Sequence, residues 1–328
     1  MYMAKTIIDG SFGAFVDWID VMDAKGTVQR CSRQENAELF AWTIGGMGLT
    51  GVILRAAIRL RGLETAWIKQ TTLRAANLDA AITLFEQARD APYSVAWIDC
   101  LSKGNKLGRS LVMLGEHARP DDLTESQRNN VYQCGTKRRI SVPFNLPSLL
   151  LNSITISGCN AFYHWNSARK AGRRLVDWDS YFYPLDSILG WNKVYGRSGL
   201  AQYQCVLPLD QSRQGLHALI EVISRSRTGA FLAVLKRLGA QRDGLSFPML
   251  GYTLALDFPV NDRTLALMTV LDQITLAHGG RLYLAKDSRM TAETLHLSDS
   301  RAKHFAQLRA NGDLRQVFAS AQSERLEL

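Results

Sequence analysis

The chain of 328 residues is 46% hydrophobic and 21% charged, which suits one large or two ordinary folded domains and excludes a disordered or fibrous protein. Its net charge of +9 favours an anionic partner, but no helix-turn-helix, zinc-finger or RNA-binding motif occurs, so we expect no nucleic-acid binding. No apolar run approaches the ~20 residues of a membrane-spanning helix. The N-terminal residues lack the apolar core and cleavage site of a signal peptide, so we expect a cytoplasmic protein.

The cysteines and histidines indicate neither a disulfide framework nor a metal site. The five cysteines are odd in number and include no C-x-x-C pair, which is typical of free thiols in a reducing compartment. The six histidines show no metal-ligand spacing. No G-x-S-x-G motif occurs, which argues against a serine hydrolase.

The first predicted block, residues 10–62, contains strands separated by a turn and a short helix. An apolar-rich strand over 14–22 comes first, and 34–43 has apolar residues at helical spacing. A glycine-dense turn at 45–51 then leads into an apolar run at 52–60, which predicts a buried strand. The turn lacks the Lys-Ser/Thr of a P-loop, and a strand follows it where a dinucleotide fingerprint needs a helix. Taken alone, it predicts a tight structural turn.

The middle block, about 64–277, alternates helices and strands, which predicts an α+β fold with helices on one face of a sheet. Residues 104–180 show little periodicity and many turn residues, so we expect part of this stretch to be a mobile loop. Elsewhere the pattern predicts helices at 77–88, 214–225 and 263–278, strands at 93–99, 200–207, 231–236 and 252–258, and short helices at 291–296, 300–311 and 314–320.

One predicted strand carries two amide side chains on the same face. Alternation along it places Gln202 and Gln204 on one face and Tyr203 and Cys205 on the other. Buried amides are costly unless they are hydrogen-bonded. The two glutamines therefore indicate either the solvent side of a sheet or the polar wall of a pocket, and Lys236, at the end of another predicted strand, is open to the same two interpretations.

A second candidate segment is 283–289. Alternation places Tyr283 and Lys286 on opposite faces of a predicted strand, and a turn beginning at Asp287 would direct Lys286 into a cleft. There its ammonium group could stabilise a developing oxyanion or a reduced flavin. The alternative is a surface lysine paired with Asp287.

Ordered motifs run along nearly the whole chain. They are AELF and GGMGLTGVILRA within 37–56, YPLD at 183–186, WNKVYG at 191–196, QYQ at 202–204, LSFP at 245–248, DFP at 257–259, GGRLY at 279–283, AKDSR at 285–289, TAET at 291–294 and VFAS at 317–320. As a set they resemble the FAD-linked oxidases of the vanillyl-alcohol-oxidase superfamily, and within it the oxidase subunits of decaprenylphosphoryl-β-D-ribose 2′-epimerases.

The resemblance implies an α+β fold that combines the C-terminal part of an FAD-binding domain with an inserted antiparallel-sheet substrate domain. Residues 1–63 and 279–328 would belong to the FAD-binding domain, and 64–278 would form the substrate domain. The implied activity is FAD-dependent oxidation of a sugar hydroxyl to a ketone, on a polyprenyl-phosphate-linked pentose or a related sugar. The alternative is a truncated, flavin-free remnant that acts as a binding or structural protein.

The resemblance also assigns residues to the site. Lys286 and Tyr283 would be catalytic, with Lys286 as an electrostatic partner of flavin and substrate oxygen. The residues expected to contact FAD are Gly10, Ser11, Gly13, Ile53, Tyr283, Ala285 and Lys286. Those expected to bind substrate are Phe162, Trp165, Gln202, Gln204, Lys236, Thr253 and Ala255.

Two departures from the family pattern bear on these expectations. The long N-terminal segment that contains the family's glycine-rich diphosphate loop has no counterpart, and its histidine-containing stretch is replaced by residues 3–8, so we expect weak FAD binding or none. Thr253 and Ala255 stand where Asn and Cys are frequent, which leaves the sugar and its lipid open.

The expected partners are a lipid-linked or phosphorylated sugar and a short-chain reductase that acts on the ketone. The apolar run 146–151 offers weak support for contact with the inner face of a membrane, and a loop packed onto the sheet is the alternative. The basic clusters 137–139 and 169–174 would face solvent or bind a phosphate or an anionic headgroup.

Overall fold

The computed structural model describes residues 10–135, 137, 139–145, 153–169, 171–230, 232–241, 244–311 and 314–328. Its strands are β1 (Val16–Met22), β2 (Val28–Ser32), β3 (Val52–Ile58), β4 (Trp67–Ala75), β5 (Tyr93–Ile98), β6 (Ser110–His117), β7 (Ile140–Ser141), β8 (Gly172–Asp177), β9 (Ile188–Leu189), β10 (Leu200–Pro208), β11 (Leu232–Leu238), β12 (Gly251–Pro259) and β13 (Arg281–Leu282). Its helices are α1 (Ala37–Thr43), α2 (Leu78–Gln87), α3 (Glu125–Arg128), α4 (Ser153–Arg169), α5 (Trp178–Phe182), α6 (Leu209–Ser226), α7 (Asp262–Ala277), α8 (Ala292–Ser298), α9 (Arg301–Asn311), α10 (Leu314–Val317) and α11 (Ala321–Arg325).

A small antiparallel sheet, in the order β2-β1-β3, forms the first part of the fold. Inward side chains of β1 and β2 pack against Phe40 of α1, which closes a small hydrophobic cluster. The expectation of a buried strand over 52–60 is wrong for the described part of the chain. The strand β3 pairs only with β1, and its apolar side chains are mostly exposed because they lie on both faces of an edge strand.

A large antiparallel sheet of eight strands, in the order β13-β10-β12-β11-β5-β6-β4-β8, dominates the structure. Helices α2, α6 and α7 pack on this sheet, and their apolar faces form the main hydrophobic core together with the sheet residues that face them. The α+β class predicted from the alternation of helices and strands is confirmed.

Residues 104–180, of which we expect part to be a mobile loop, also contain regular elements. The strand β6 lies inside the large sheet between β5 and β4, and β8 forms its far edge. The run Leu111 to Leu114 is continuously apolar because β6 packs on both faces, so it lacks the alternation of a half-exposed strand. The helix α4 also falls in this stretch, whereas the apolar run 146–151 lies outside the described residues.

The C-terminal helices close the fold near the glycine-dense turn. Leu49 of that turn packs in one hydrophobic cluster with Leu284, Leu295 and Phe305. Gly45 lies so close to the segment before β12 that a Cβ there would stand 3.0 Å from the Ser246 Oγ. This close approach brings residues 45–51 beside 245–248, although some 200 residues separate them in sequence.

Two kinds of feature do not occur among the described residues. No described helix is both long enough and apolar enough to cross a membrane. No group of three or more His, Cys, Asp or Glu side chains in the described segments has the arrangement of a metal site.

Candidate active site

A cavity of about 470 Å³, the large cavity, lies on the face of the large sheet opposite the main core. Because side chains alternate along a strand, Tyr203 and Cys205 of β10 point into the core, whereas Gln202 and Gln204 line the cavity. The predicted alternation is therefore confirmed, and of the two interpretations left open the structure selects the wall of a pocket. The strands β12 and β11 contribute Thr253, Ala255, Asp257, Leu232, Val234 and Lys236.

The strand register explains why these side chains meet. Gln202 of β10 lies opposite Asp257 of β12, which in turn lies opposite Leu232 of β11. The neighbouring row joins Gln204, Ala255 and Val234. The next row pairs Thr253 with Lys236. The cavity floor is thus three rows of one sheet face, with polar side chains at both ends and a small residue, Ala255, in the middle.

A turn after β13 forms the side wall of the large cavity. The strand ends at Leu282 and residues Leu284–Lys286 form a single 3₁₀ turn, so the predicted strand alternation through Lys286 is wrong. The backbone amide of Tyr283 donates to the Gln204 carbonyl at 2.9 Å, which fixes the turn to β10. Tyr283 and Lys286 consequently line the cavity together with the two glutamines.

Asp287 does not pair with Lys286. Its carboxylate accepts hydrogen bonds from Arg325 at 2.7 Å and from the backbone amides of Arg289 and Met290. Burial favours a higher pKa for Asp287, but these hydrogen bonds hold its pKa below the ordinary value. The anchored carboxylate holds the turn in place and leaves the Lys286 ammonium to the cavity.

Asp257 is the buried carboxylate of the large cavity, with only 2% of the residue exposed. The Gln202 amide donates to its Oδ1. Burial raises the pKa of Asp257, and the Gln202 hydrogen bond and the charge of Lys286 oppose that rise. The sequence assignment missed this residue. The signal that could have found it is its position two residues after Ala255, on the same face of the strand as Thr253 and Ala255.

A second cavity of about 200 Å³, the small cavity, adjoins the large one. Phe247, Tyr283 and Ala285 line both. The rings of Phe247 and Tyr283 stack with their centroids 4.5 Å apart, so this pair forms the shared wall. The remaining lining includes Ser11, Gly13, Gly45 and Met47 from the N-terminal block, and Gln241, Arg281 and Asp299.

Two buried polar atoms of the small cavity have no hydrogen-bond partner among the residues that the structure describes. They are the Gln241 Oε1, an acceptor, and the Arg281 Nε, a donor. Burial lowers the pKa of Arg281, and the nearby Asp299 opposes this. An unsatisfied buried donor and acceptor are each costly, so a ligand in the small cavity that reached both atoms with an acceptor and a donor would be stabilised.

The structure brings most predicted site residues to these two cavities, but not all. Gln202, Gln204, Lys236, Thr253, Ala255, Tyr283, Ala285 and Lys286 line the large cavity, and Ser11 and Gly13 line the small one. Gly10 precedes Ser11 and lines neither. Ile53 is about half exposed on β3, away from both. Phe162 and Trp165 lie exposed on α4, which packs against Trp97 of β5 through Tyr163, and the structure does not bring them to the large cavity.

Comparison with known proteins gives three informative similarities. The chain is 34% identical over 326 residues to decaprenylphosphoryl-β-D-ribose oxidase of Mycolicibacterium smegmatis, an alignment that covers 97% of this chain and 70% of the relative. It is 30% identical over 328 residues to an uncharacterized protein in the mprA 5′ region of Streptomyces coelicolor, an alignment that covers 97% of this chain and 88% of the relative. A segment of 53 residues is 50% identical to cytokinin dehydrogenase 5 of Arabidopsis thaliana, which covers 16% of this chain and 10% of the relative. No protein-family model matches the chain.

Proposed function

Because the chain belongs to the decaprenylphosphoryl-β-D-ribose oxidase family of FAD-linked oxidases, we propose that it is an FAD-dependent oxidoreductase that converts a sugar hydroxyl into a ketone. The observation that carries the proposal is the shared wall of the two cavities. A cavity of about 470 Å³ with polar side chains on its floor and a smaller cavity lined by Gln241 and Arg281 meet at Tyr283, and Lys286 lies beside the junction. Hydride transfer needs such an arrangement, because the substrate carbon and the cofactor must be in contact.

The residues of the small cavity fit one end of a flavin. The pyrimidine edge of an isoalloxazine ring presents an N–H donor between carbonyl acceptors, which suits the unsatisfied Gln241 Oε1 and Arg281 Nε. Ser11, Gly13, Tyr283 and Ala285 would line the ring site. When bound, the flavin would supply hydride acceptance from a sugar carbon. Residues 1–63 and 279–328 would form the cofactor domain, and 64–278 the substrate domain.

The large cavity would bind the sugar. Gln202 and Gln204 can each donate and accept, which suits sugar hydroxyls. Gln204 donates to the Thr253 Oγ1 at 3.1 Å, so its amide orientation is fixed before a ligand arrives. Lys236 and Lys286 place two ammonium groups in the cavity, which suits an anionic group such as a phosphate. Lys286 would also stabilise the negative charge that develops on the substrate oxygen.

The proposed substrate is a phosphorylated or lipid-phosphate-linked pentose, in keeping with the name of the Mycolicibacterium smegmatis relative. The product would be a ketone, and a short-chain reductase that consumes it is the proposed partner. A lipid-linked substrate would also bring the protein to a membrane surface. Thr253 and Ala255 on the cavity floor would tune which sugar is accepted.

The first experiment is to incubate the purified chain with FAD, pass it through gel filtration and record its visible absorption. With FAD kept in the column buffer, because binding is expected to be weak, we expect a flavin band that elutes with the protein and bleaches anaerobically on addition of ribose 5-phosphate, a soluble probe of the sugar and phosphate site. Glucose 6-phosphate, a bulkier probe with the same phosphate, serves as the control. No retained flavin at any FAD concentration would overturn the proposal. Binding of ribose 5-phosphate without flavin would instead support a flavin-free binding protein.

A further inference from the structure

We infer that Asp257 is the group that accepts the proton of the sugar hydroxyl while that hydroxyl is oxidised. The inference rests on the proposed function, because it assigns a catalytic residue within the same site. Asp257 lies in the end row of the cavity floor that is opposite to Lys236, on the middle strand β12 between Gln202 of β10 and Leu232 of β11. It lines the large cavity together with Lys286.

The hydrogen bonds of Asp257 leave part of its carboxylate for a ligand. The Gln202 Nε2 donates to Oδ1, and among the described residues no other side chain or backbone group donates to this carboxylate. A carboxylate has about four acceptor positions on its two oxygens. Gln202 therefore orients the group, and a sugar hydroxyl that enters the cavity would supply the missing donor.

The other titratable groups around the cavity are less suited to this role. Lys236 and Lys286 carry ammonium groups, which donate hydrogen bonds and accept none. Asp287 is already held by Arg325 and two backbone amides, which lower its pKa. The phenol of Tyr283 lies in the shared wall, stacked on a phenylalanine.

The surroundings of Asp257 also make it a better base than an exposed carboxylate. Burial raises the pKa of Asp257, and the Gln202 hydrogen bond and the charge of Lys286 oppose that rise without cancelling it. The carboxylate is therefore more basic than usual. Tyr195, whose ring contacts Trp191 of the cavity lining, has a pKa raised by burial and by the charge of Asp257. The Tyr195 hydroxyl can donate a hydrogen bond, but it would not compete with Asp257 for the proton of the sugar hydroxyl.

Oxidation of the hydroxyl removes a proton and a hydride from the sugar. The substrate O–H bond breaks, and its proton passes to a carboxylate oxygen of Asp257. The C–H bond on the same carbon breaks, and its two electrons leave with the hydrogen as hydride to the flavin, the oxidant. The former O–H electron pair forms the second bond of the new carbonyl group. Asp257 ends the step protonated, and Lys286 stabilises the oxygen while its charge develops.

The kinetic test compares wild type with Asp257→Asn, which keeps an acceptor for Gln202 but cannot take a proton. We expect the rate of flavin reduction by ribose 5-phosphate to fall ~10²–10⁴-fold, the range for loss of a general base. The wild-type rate should also fall at acidic pH as Asp257 becomes protonated. This fall is the acidic limb of the pH–rate profile, and the Asp257→Asn variant should lose it. Asp257→Glu should retain the acidic limb at a reduced rate.

Asp272→Asn is the matched control. Asp272 is also a buried aspartate with a pKa raised by burial, but it lies on α7, pairs with Arg289 and does not line the large cavity. This variant should be less stable and should keep the acidic limb. A purely structural role for Asp257 would make the two variants behave alike, which would overturn the inference.

A second measurement needs no flavin. In the flavin-free protein, the carboxyl carbon of Asp257 can be followed by NMR during a pH titration with and without ribose 5-phosphate. We expect it to titrate above the ordinary value of 3.8 and to shift when the sugar phosphate is added. An ordinary titration that is insensitive to the ligand would overturn the inference. Failure of wild type to reduce bound flavin would overturn the proposed function instead, whatever the NMR result.

Discussion

Phe247 and Tyr283 stack with their ring planes 25° apart, and this pair is the wall that the two cavities share. Phe247 is buried, with 6% of the residue exposed, whereas Tyr283 belongs to the turn that also carries Lys286. A ligand in either cavity would therefore rest on the same two rings. Changes to this pair should affect both ligands at once, unlike changes to residues that line only one cavity.

Tyr283→Ala should weaken binding of both FAD and ribose 5-phosphate, because it removes one ring of the shared wall. Tyr283→Phe keeps the stack and should leave both affinities within about twofold, since an aromatic pair contributes ~0.5–1.5 kcal/mol that Phe retains. Titration of each variant with each ligand separately measures this. If Tyr283→Ala weakened the binding of only one of the two ligands, the result would contradict a wall shared by both cavities.

Lys286→Ala should slow flavin reduction ~10²–10³-fold, the range for loss of one group that stabilises a developing negative charge. Because the charge of Lys286 lowers the pKa of Asp257, its removal should also move the acidic limb of the pH–rate profile to higher pH. Stopped-flow reduction across pH measures both effects. Lys25→Ala, in the exposed turn between β1 and β2, is the control and should match wild type. An unchanged limb in Lys286→Ala would contradict the coupling.

The strands of the cavity floor could be predicted because each obeys simple alternation. Tyr203 and Cys205 are apolar and face the core, so Gln202 and Gln204 must share the opposite face. The sequence could not decide between solvent and pocket wall, because that depends on which segments cover the face. The cover comes from the turn at Tyr283–Lys286 and from Phe247, and their approach depends on contacts between distant parts of the chain.

Other features of the site escaped the sequence for physical reasons. Asp257 looks like an ordinary strand-end residue until the register places it beside Gln202. The strand β6 packs on both faces and is therefore apolar at Leu111 to Leu114 without interruption, so its sequence lacks the alternation that predicts a strand. Ile53, Phe162 and Trp165 are predicted site residues that the structure leaves exposed, and their roles stay predictions.

Gly251→Ala should destabilise the protein by ~2 kcal/mol or more, because the native φ is strained for any residue with a side chain. Gly251 has a φ of +155°, and a Cβ there would lie 1.9 Å from the Leu207 carbonyl oxygen. Since Gly251 begins β12, the clash would also displace the strand that carries Thr253 and Asp257. Gly26→Ala is the matched control.

Gly26 also has a positive φ, of +81°, but a Cβ there would meet open space. Its substitution should therefore cost only about 1 kcal/mol, the penalty of a left-handed conformation alone. Urea denaturation of both variants measures the difference. Equal losses in the two variants would show that the contact with Leu207 contributes nothing.

His117 should make the protein less stable in mild acid. Burial, helped by the charge of Arg61, lowers its pKa below the ordinary 6.5. The unfolded chain then binds a proton more readily than the folded one, so stability is lost as pH falls from about 6.5 towards the lowered pKa. The ring also bonds the Tyr93 hydroxyl at 3.0 Å.

Comparison of melting temperatures between pH 5 and pH 8, about the range in which histidine titrates, should show a shallower acid slope for His117→Gln than for wild type. The variant is compared with wild type because Asp257 and Asp272, whose pKa values are raised, change stability with pH in the opposite direction in both proteins. His164, whose pKa burial also lowers, should account for part of the slope that remains. Parallel curves for the two proteins would contradict the assignment to His117.

Lys236→Gln should separate recognition of phosphate from recognition of the sugar. Lys236 lies opposite Thr253 at one end of the cavity floor, two rows from Asp257, so the geometry places an anionic group at one end and the reacting hydroxyl at the other. Loss of its charge should weaken ribose 5-phosphate about tenfold, or ~1.4 kcal/mol, and should leave ribose almost unaffected. Calorimetric titration with both ligands measures this, with Lys25→Gln as the surface control. Equal weakening of the two ligands would place Lys236 at the sugar rather than at the phosphate.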